Sequence, residues 1–257
     1  MNILVFDVET VPDVEAARRL GEFDGIDDDG VVKALFLERQ QEAGTTFLKH
    51  PMHQVVAISC VYVNTQEDQL HVWSLGNEAD DESVLIQNFF DGLKKKQPTL
   101  VSWNGQGFDL PVLSYRAMKH KLSIPDFWRQ DGEYKWDNYL NRFHERHTDL
   151  MDVLGFYTGR ANAPLDQVAS IMGFPGKMGM DGSKVWQAYQ DGKLSAIRDY
   201  CETDVLNTYL VYLRYALMRG ALSAEQYEDE ELRLKVWLEG QTAAHFHEFL
   251  AHWQEGG

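Results

Sequence analysis

The alternation of short, unbroken apolar runs with longer stretches of helical spacing constrains this chain more than any other feature. Asn2 to Phe6 (NILVF) and Thr99 to Trp103 (TLVSW) are short continuous runs of the kind that form strands buried on both faces. Between them, residues 54–63 (QVVAISCVYV) are β-branched and apolar, and Gln69 to Leu75 reads as their hairpin partner across Asn64–Asp68. Helical spacing recurs at Glu82–Lys96, at Leu110–His120 with Pro111 in the first turn, at Asp149–Phe156 and at Leu165–Met172. It is strongest at Leu194–Arg219, whose stripe is Leu206, Leu210, Leu213 and Leu217. A further helical stretch, Val31–Gln41, follows a loop at Asp24–Gly30. Strands and helices interleave in one block, without a repeat or a convincing linker. The pattern predicts one α/β unit with helices on both faces of the sheet.

Composition narrows the setting. A chain of 257 residues buries a substantial core without covalent staples. Cys60 and Cys201 are the only cysteines, which excludes a disulfide framework and any CxxC zinc site, and a reducing, cytoplasmic location is expected. The longest apolar run, Val55 to Val63, is too short to span a bilayer, and MNILVFDVE has no basic n-region, so neither membrane nor secretion is expected. The net charge of −16 argues against coating along a polyanion, which needs many Lys/Arg–phosphate contacts. Lys94 to Arg146 departs from that balance, with 10 Lys/Arg against 6 Asp/Glu.

Three short patterns carry candidate chemistry. Asp7-Val8-Glu9 follows the first buried run, and alternation along an extended chain sends both carboxylates to one side. Two such groups repel unless a cation bridges them, although an acidic turn would read the same way. Asn104-Gly-Gln-Gly-Phe-Asp109 lies at a strand-to-helix junction, where helix capping alone would account for Asp109. Tyr200-Cys-Glu-Thr-Asp204 places a phenol and a carboxylate one turn apart on one helix face, beside Ile197; a core tyrosine next to a solvated aspartate is the plainer reading. Together the three say more. Ligands of open α/β sheets gather at the carboxyl ends of strands, and an oxygen-only donor set selects hard cations such as Mg²⁺ or Mn²⁺. Four carboxylates suffice for two such ions clamping a phosphodiester.

FDVET (Phe6 to Thr10), NGQGFD and YCETD resemble, in order and spacing, the three motifs of the DEDD exonucleases, and the Tyr-x-x-x-Asp third motif is similar to the DEDDy branch, to which the proofreading domains of family-B DNA polymerases belong. The resemblance extends over Met1 to Arg219. It implies an RNase H-like α/β fold, a five-stranded mixed sheet flanked by helices, over residues 1–219, with 220–257 as an acidic helical extension packed on or trailing it. It implies a 3′→5′ exonuclease that takes single-stranded or frayed 3′ ends, DNA favoured, and releases nucleoside 5′-monophosphates with two divalent cations, Mg²⁺ or Mn²⁺. Asp7, Glu9, Asp109 and Asp204 would be the metal-binding carboxylates and Tyr200 would orient the attacking water. Thr10, Asn104, Phe108 and Lys177 would contact substrate.

Other segments weigh less. The glycine-rich loop Gly173–Gly182, with Lys177 and Lys184, is either a phosphate cradle or a plain connection, and it matches no P-loop. Asp149 is expected first as a helix cap. DGIDDDG (Asp24 to Gly30) fails as a calcium loop because Gly25 and Phe36 fall where carboxylates are needed. His247-Glu248 lacks a zincin's second histidine, since Ala251 stands there, and His144 and His147 have no zinc pattern around them. Trp128, Trp136 and Tyr139, among Arg129, Lys135 and Arg142, suit either base stacking or the packing of a rim. Rival functions are a phosphodiesterase for short oligonucleotides or small nucleotides, a silent nucleic-acid-binding module on the same fold, and a scaffold using the acidic tail.

Overall fold

The sheet is built around β1 (Asn2–Pro12). The helices α1 (Val14–Leu20) and α2 (Asp28–Ala43) follow it, and β2 (His53–Asn64) then pairs antiparallel with β1 along its whole length, in a register from Asn2↔Asn64 to Pro12↔His53. The hairpin continues into β3 (Gln69–Ser74), antiparallel to β2. Next come α3 (Glu82–Lys96), β4 (Thr99–Ser102) and α4 (Asp109–Lys119). Strand β4 lies parallel to β1, and β5 (His147–Asp149) lies parallel to β4, giving the order β3-β2-β1-β4-β5. The remaining helices are α5 (Leu150–Leu154), α6 (Leu165–Ile171), α7 (Val185–Gln190), α8 (Leu194–Met218), α9 (Ala224–Glu239) and α10 (Ala244–Gly256). This computed structural model describes residues 1–21, 23–130, 138–141 and 146–256. Trp136, Lys135, Arg142 and His144 lie outside the described residues.

Alternation along β1 sorts its side chains between two cores. Leu4, Phe6 and Val8 pack with Ile86, Phe89 and Phe90 of α3 and Val112 and Leu113 of α4. Ile3 and Val5 pack with Val205, Leu206, Tyr209 and Leu213 of α8, and Val11 with Ile197 and Cys201. The extra residue that permits this register is Val56, where β2 bulges opposite Glu9 and Thr10. Helices α9 and α10 complete the α8-side core through Leu234, Leu238, Phe249 and Trp253, all buried. At roughly 1.5–3 kcal/mol for each large apolar side chain removed from water, these inner faces are integral to that layer.

Helices on both faces of one sheet are what the sequence pattern called for, and five strands in a mixed sheet are what the resemblance implied. Three details differ. Strand β1 does not stop at Phe6: β2 offers it a partner as far as Pro12, so Asp7 and Glu9 stand within the strand rather than after it. Asp28 to Gly30 belong to α2, whose free N–H groups are met by the Asp27 carboxylate accepting from Gly30 N (2.8 Å). Tyr139 is no base-stacking platform: it is buried, stacked on Phe127 at 6.0 Å, and its hydroxyl donates to Pro98 O (2.8 Å). Trp128 alone of that group presents an exposed ring among the described residues.

Candidate active site

Odd-numbered positions of β1 face α8, so Asp7 and Glu9 look across to Tyr200 and Asp204, which α8 presents one turn apart. Carboxylate oxygens of Asp7, Glu9 and Asp204 lie within 4.8 Å of one another. Asp109 comes from the other layer, at the first turn of α4. Its Oδ1 accepts from the backbone N–H of Val8 (3.1 Å), so this carboxylate is tied to β1.

Burial and mutual repulsion dominate the electrostatics. Desolvation, then the charges of Asp109, Glu9 and Asp204, push the Asp7 carboxyl well above its usual range, and burial with Asp204 and Asp109 does the same to Glu9. Burial raises Asp109 to about 7, against hydrogen bonds from its own N–H and from Val8. Asp204 is raised to about 6, mainly by burial, with relief from a Tyr200 hydrogen bond and the Lys177 charge. Burial, with the charges of Asp204 and Glu9, raises the Tyr200 phenol too, so it stays protonated at neutral pH. Among the described residues no cationic side chain bonds to these four close carboxylates. They suit a hard divalent cation, which would satisfy oxygen-only donors and relieve the repulsion. The donor set fits the group.

The loop between β4 and α4 is held by a residue whose weight the sequence understated. Asp149 accepts from Asn104 N (2.9 Å) and Gln106 N (2.9 Å) while also capping α5 through Asp152 N (3.4 Å). Asn104 adopts φ +63°, a left-handed conformation that asparagine tolerates. Gly105 passes so close to Ser102 that a Cβ there would sit 2.6 Å from the serine Cβ, so only glycine fits. Beyond this loop, Phe108 meets His53 edge-on (centroids 4.9 Å), and Phe47 lies 5.3 Å from both rings. His53 Nδ1 is 2.8 Å from Thr10 Oγ1, which brings Thr10 and Phe108 into one cluster.

Lys177 stands apart from these. Its charge reaches Asp204, but the loop amides around it are spent internally: Gly176 N donates to Asn207 Oδ1 (3.0 Å) and Lys177 N to Asp166 Oδ1 (2.7 Å). Those two N–H groups are closed to phosphate. Three residues carried no sequence signal at all. Cys201 Sγ approaches Asp7 Oδ2 (3.7 Å), Ser59 meets Ser74 (Oγ–Oγ 2.8 Å), and Ser74 donates to Glu202 Oε1 (2.6 Å). The Cys201–Asp7 and Ser74–Glu202 contacts join segments far apart in the chain, invisible to spacing, whereas Ser59–Ser74 crosses the β2–β3 hairpin.

Residues 45–253 match the family described as a predicted 3′-5′ exonuclease related to the exonuclease domain of PolB. The chain belongs to that family. Among curated proteins it is similar to the catalytic polypeptide of DNA polymerase epsilon from Kluyveromyces lactis, 26% identical over 145 residues, covering 52% of this chain and 6% of the polymerase. The corresponding polymerase epsilon polypeptide of Dictyostelium discoideum is 41% identical over 63 residues, covering 23% of this chain and 3% of the polymerase. The chain spans only a few per cent of the length of the curated relatives it matches. The family implies a nucleic-acid substrate, and as a PolB-related exonuclease the chain carries an acidic cluster of the kind such enzymes fill with divalent metal. No helix among the described residues is long and apolar enough to cross a membrane.

Proposed function

We propose that this exonuclease hydrolyses the terminal phosphodiester of single-stranded or frayed nucleic acid, DNA favoured, from the 3′ end, releasing nucleoside 5′-monophosphates. The observation that carries the reading is the convergence of Asp7, Glu9 and Asp204 within 4.8 Å, with the Asp109 charge also raising Asp7 and Glu9, in a PolB-related exonuclease. Asp7, Glu9, Asp109 and Asp204 would hold two Mg²⁺ or Mn²⁺ ions, which when bound stabilise charge on the attacking and leaving oxygens. Tyr200, one turn from Asp204 and held protonated by burial, would orient the attacking water, and as a protonated phenol it is no base at neutral pH. Thr10, Asn104 and Phe108 would line the terminal nucleotide, and Lys177 would lend positive charge beside Asp204. We assign the chemistry to residues 1–219 and treat 220–257 as an extension on the same core. A cytoplasmic location and a repair role fit this reading.

Digestion of a 5′-labelled single strand, as DNA and as RNA, with Mg²⁺, Mn²⁺ or EDTA, tests it. A ladder shrinking from the 3′ end, abolished by EDTA and by Asp7→Ala, is the expected result. Intact strands in both metals would overturn the reading. The net charge of −16 favours one rival, a phosphodiesterase for short oligonucleotides, and faster turnover of dinucleotides than of long strands would select it.

A further inference from the structure

A row of polar side chains crosses the sheet from the acidic cluster to the C-terminal helix. In the strand register Asp7 of β1 stands opposite Ser59 of β2, and Ser59 stands opposite Ser74 of β3. Val61 and Val72, two residues along from these serines, pack with α8, so alternation puts the serines on the α8 face as well, where both are buried. Glu202 of α8 receives the end of the row, its Oε1 accepting from Ser74 Oγ (2.6 Å). Its Oε2 lies 2.8 Å from His245 Nε2 on α10, and His245 Nδ1 lies 3.3 Å from Asp199 Oδ1. A carboxylate can only accept, so the Ser74 hydrogen points to Glu202. Ser74 Oγ is also 2.8 Å from Ser59 Oγ, and with the one Ser74 hydrogen spent, Ser59 must be the donor in that bond. Both hydroxyl hydrogens therefore point away from Asp7. Glu202 sets that direction.

We propose that Glu202 is a positioning residue for Asp7: by claiming the Ser74 hydrogen it keeps Ser59 from donating to the Asp7 carboxylate, which stays open to a divalent cation, and His245 holds Glu202 in place. This rests on the exonuclease reading and deepens it, naming what tunes cation binding at the same site. Directly opposed residues of antiparallel strands bring their Cβ atoms to about 4.5–5.5 Å, which puts the Asp7 carboxylate within reach of the Ser59 hydroxyl. Released from Ser74, the Ser59 hydrogen would turn to that carboxylate, a stronger acceptor than any neutral oxygen, and an arriving cation would have to displace it. The Cys201 thiol, which approaches Asp7 O (3.5 Å) and Oδ2 (3.7 Å), is a weak donor and no such obstacle. Because His245 belongs to α10, the C-terminal extension takes part in tuning a site whose carboxylates all precede it.

Calorimetric titration of the full chain with Mn²⁺, in the absence of any strand, gives a readout apart from activity. Ser74→Ala takes away the acceptor of Ser59 without changing any charge, and should weaken Mn²⁺ binding about three- to tenfold, the worth of one hydrogen bond. The double variant Ser59→Ala/Ser74→Ala removes the hydroxyl that would interfere and should return the affinity to that of the wild type, a recovery that lost packing could not produce. His245→Leu, which lets go of Glu202, should weaken binding in the same direction. His245→Gln, whose amide nitrogen is the same number of bonds from Cα as Nε2, should bind as the wild type does. A folded Ser74→Ala protein with wild-type affinity overturns the proposal, as does a double variant that binds no better than the single one. Wild-type affinity in His245→Leu overturns the part given to α10. A wild type that binds neither Mn²⁺ nor Mg²⁺ instead overturns the exonuclease reading and removes the proposal with it.

Discussion

Asp109→Asn should make the cation-free protein more stable while disabling it. Asparagine is nearly isosteric, and its Oδ1 can still accept from Val8 N, so the bond between α4 and β1 survives. What disappears is the cost of keeping a carboxylate in a buried, negatively charged place. Asp109 ionises near 3.8 when unfolded and at about 7 when folded. A raised acid costs nothing below the unfolded value, where both states hold the proton. Stability is then lost steadily as pH climbs from 3.8 to about 7. The gap of about 3 pH units corresponds to about 4 kcal/mol at pH 8, since each unit is worth about 1.4 kcal/mol. At about 2–4 °C of Tm per kcal/mol for a chain of this size, the variant should melt roughly 8–16 °C above wild type in EDTA at pH 8. At pH 4 the two should melt together. Saturating Mg²⁺ or Mn²⁺ should close the difference at pH 8 by stabilising the wild type more. Thermal melts across pH 4–8, with EDTA and with each metal, measure all of this. A difference that does not change with pH, or a variant less stable than wild type at pH 8 in EDTA, would refute the electrostatic account of the site.

Tyr200→Phe should lower kcat by about 10²-fold with KM little changed, because a misplaced water costs on that scale while strand binding does not involve the phenol; single-turnover kinetics separates the two. Arg116, fully buried, donates to Glu82 through Nε (2.6 Å) and to Asp13, so Arg116→Met leaves two buried carboxylates short of a partner. Lys119 and His120 remain within 2.6 Å of Asp13 and Glu82, which places the loss near about 3 kcal/mol, or ~6–12 °C in Tm. Burial depresses His147 to about 4 from 6.5, so stability should be flat above pH 6.5 and fall by about 3 kcal/mol as pH drops to 4, where the unfolded chain takes up a proton that the folded one refuses. His147→Phe should abolish that slope in urea titrations, and a slope unchanged by the substitution would count against it.

The parts of this protein that repeat a period or a short motif were readable in its sequence. Glu82–Lys96 forms a helix over the residues its spacing marks, because Leu85, Phe89 and Leu93 must all reach one core. The carboxylates of Asp7 and Glu9 meet that of Asp204 because strand alternation fixes one side of the pairing and helical pitch the other. Short elements escaped. Strand β5 has three residues, too few to show alternation, and its pairing with β4 is known only from the partner's position. The helices α1 and α7, of seven and six residues, also went unmarked, burying only Ala17 in one and Val185 and Ala188 in the other. The supporting bonds were hidden for a related reason. Asp149 serves a loop 43 to 45 residues away, and Glu202 bonds to a serine 128 residues away, so neither distance leaves a trace in local composition.

Strand β1 is also a partition. Its α8-facing side carries Asp7 and Glu9 toward Asp204 and Tyr200, whereas its α4-facing side carries Thr10 toward His53 and Phe108. The acidic cluster therefore draws on both hydrophobic layers, Asp7, Glu9 and Asp204 from the α8 side and Asp109 from the α4 side, joined by the Asp109–Val8 bond. Substitutions that loosen either layer should disturb the same cluster, the α3–α4 layer by shifting Asp109 and the α8 layer by shifting Asp204. The site cannot be tuned from one layer alone, because one strand, read by alternate residues, belongs to both.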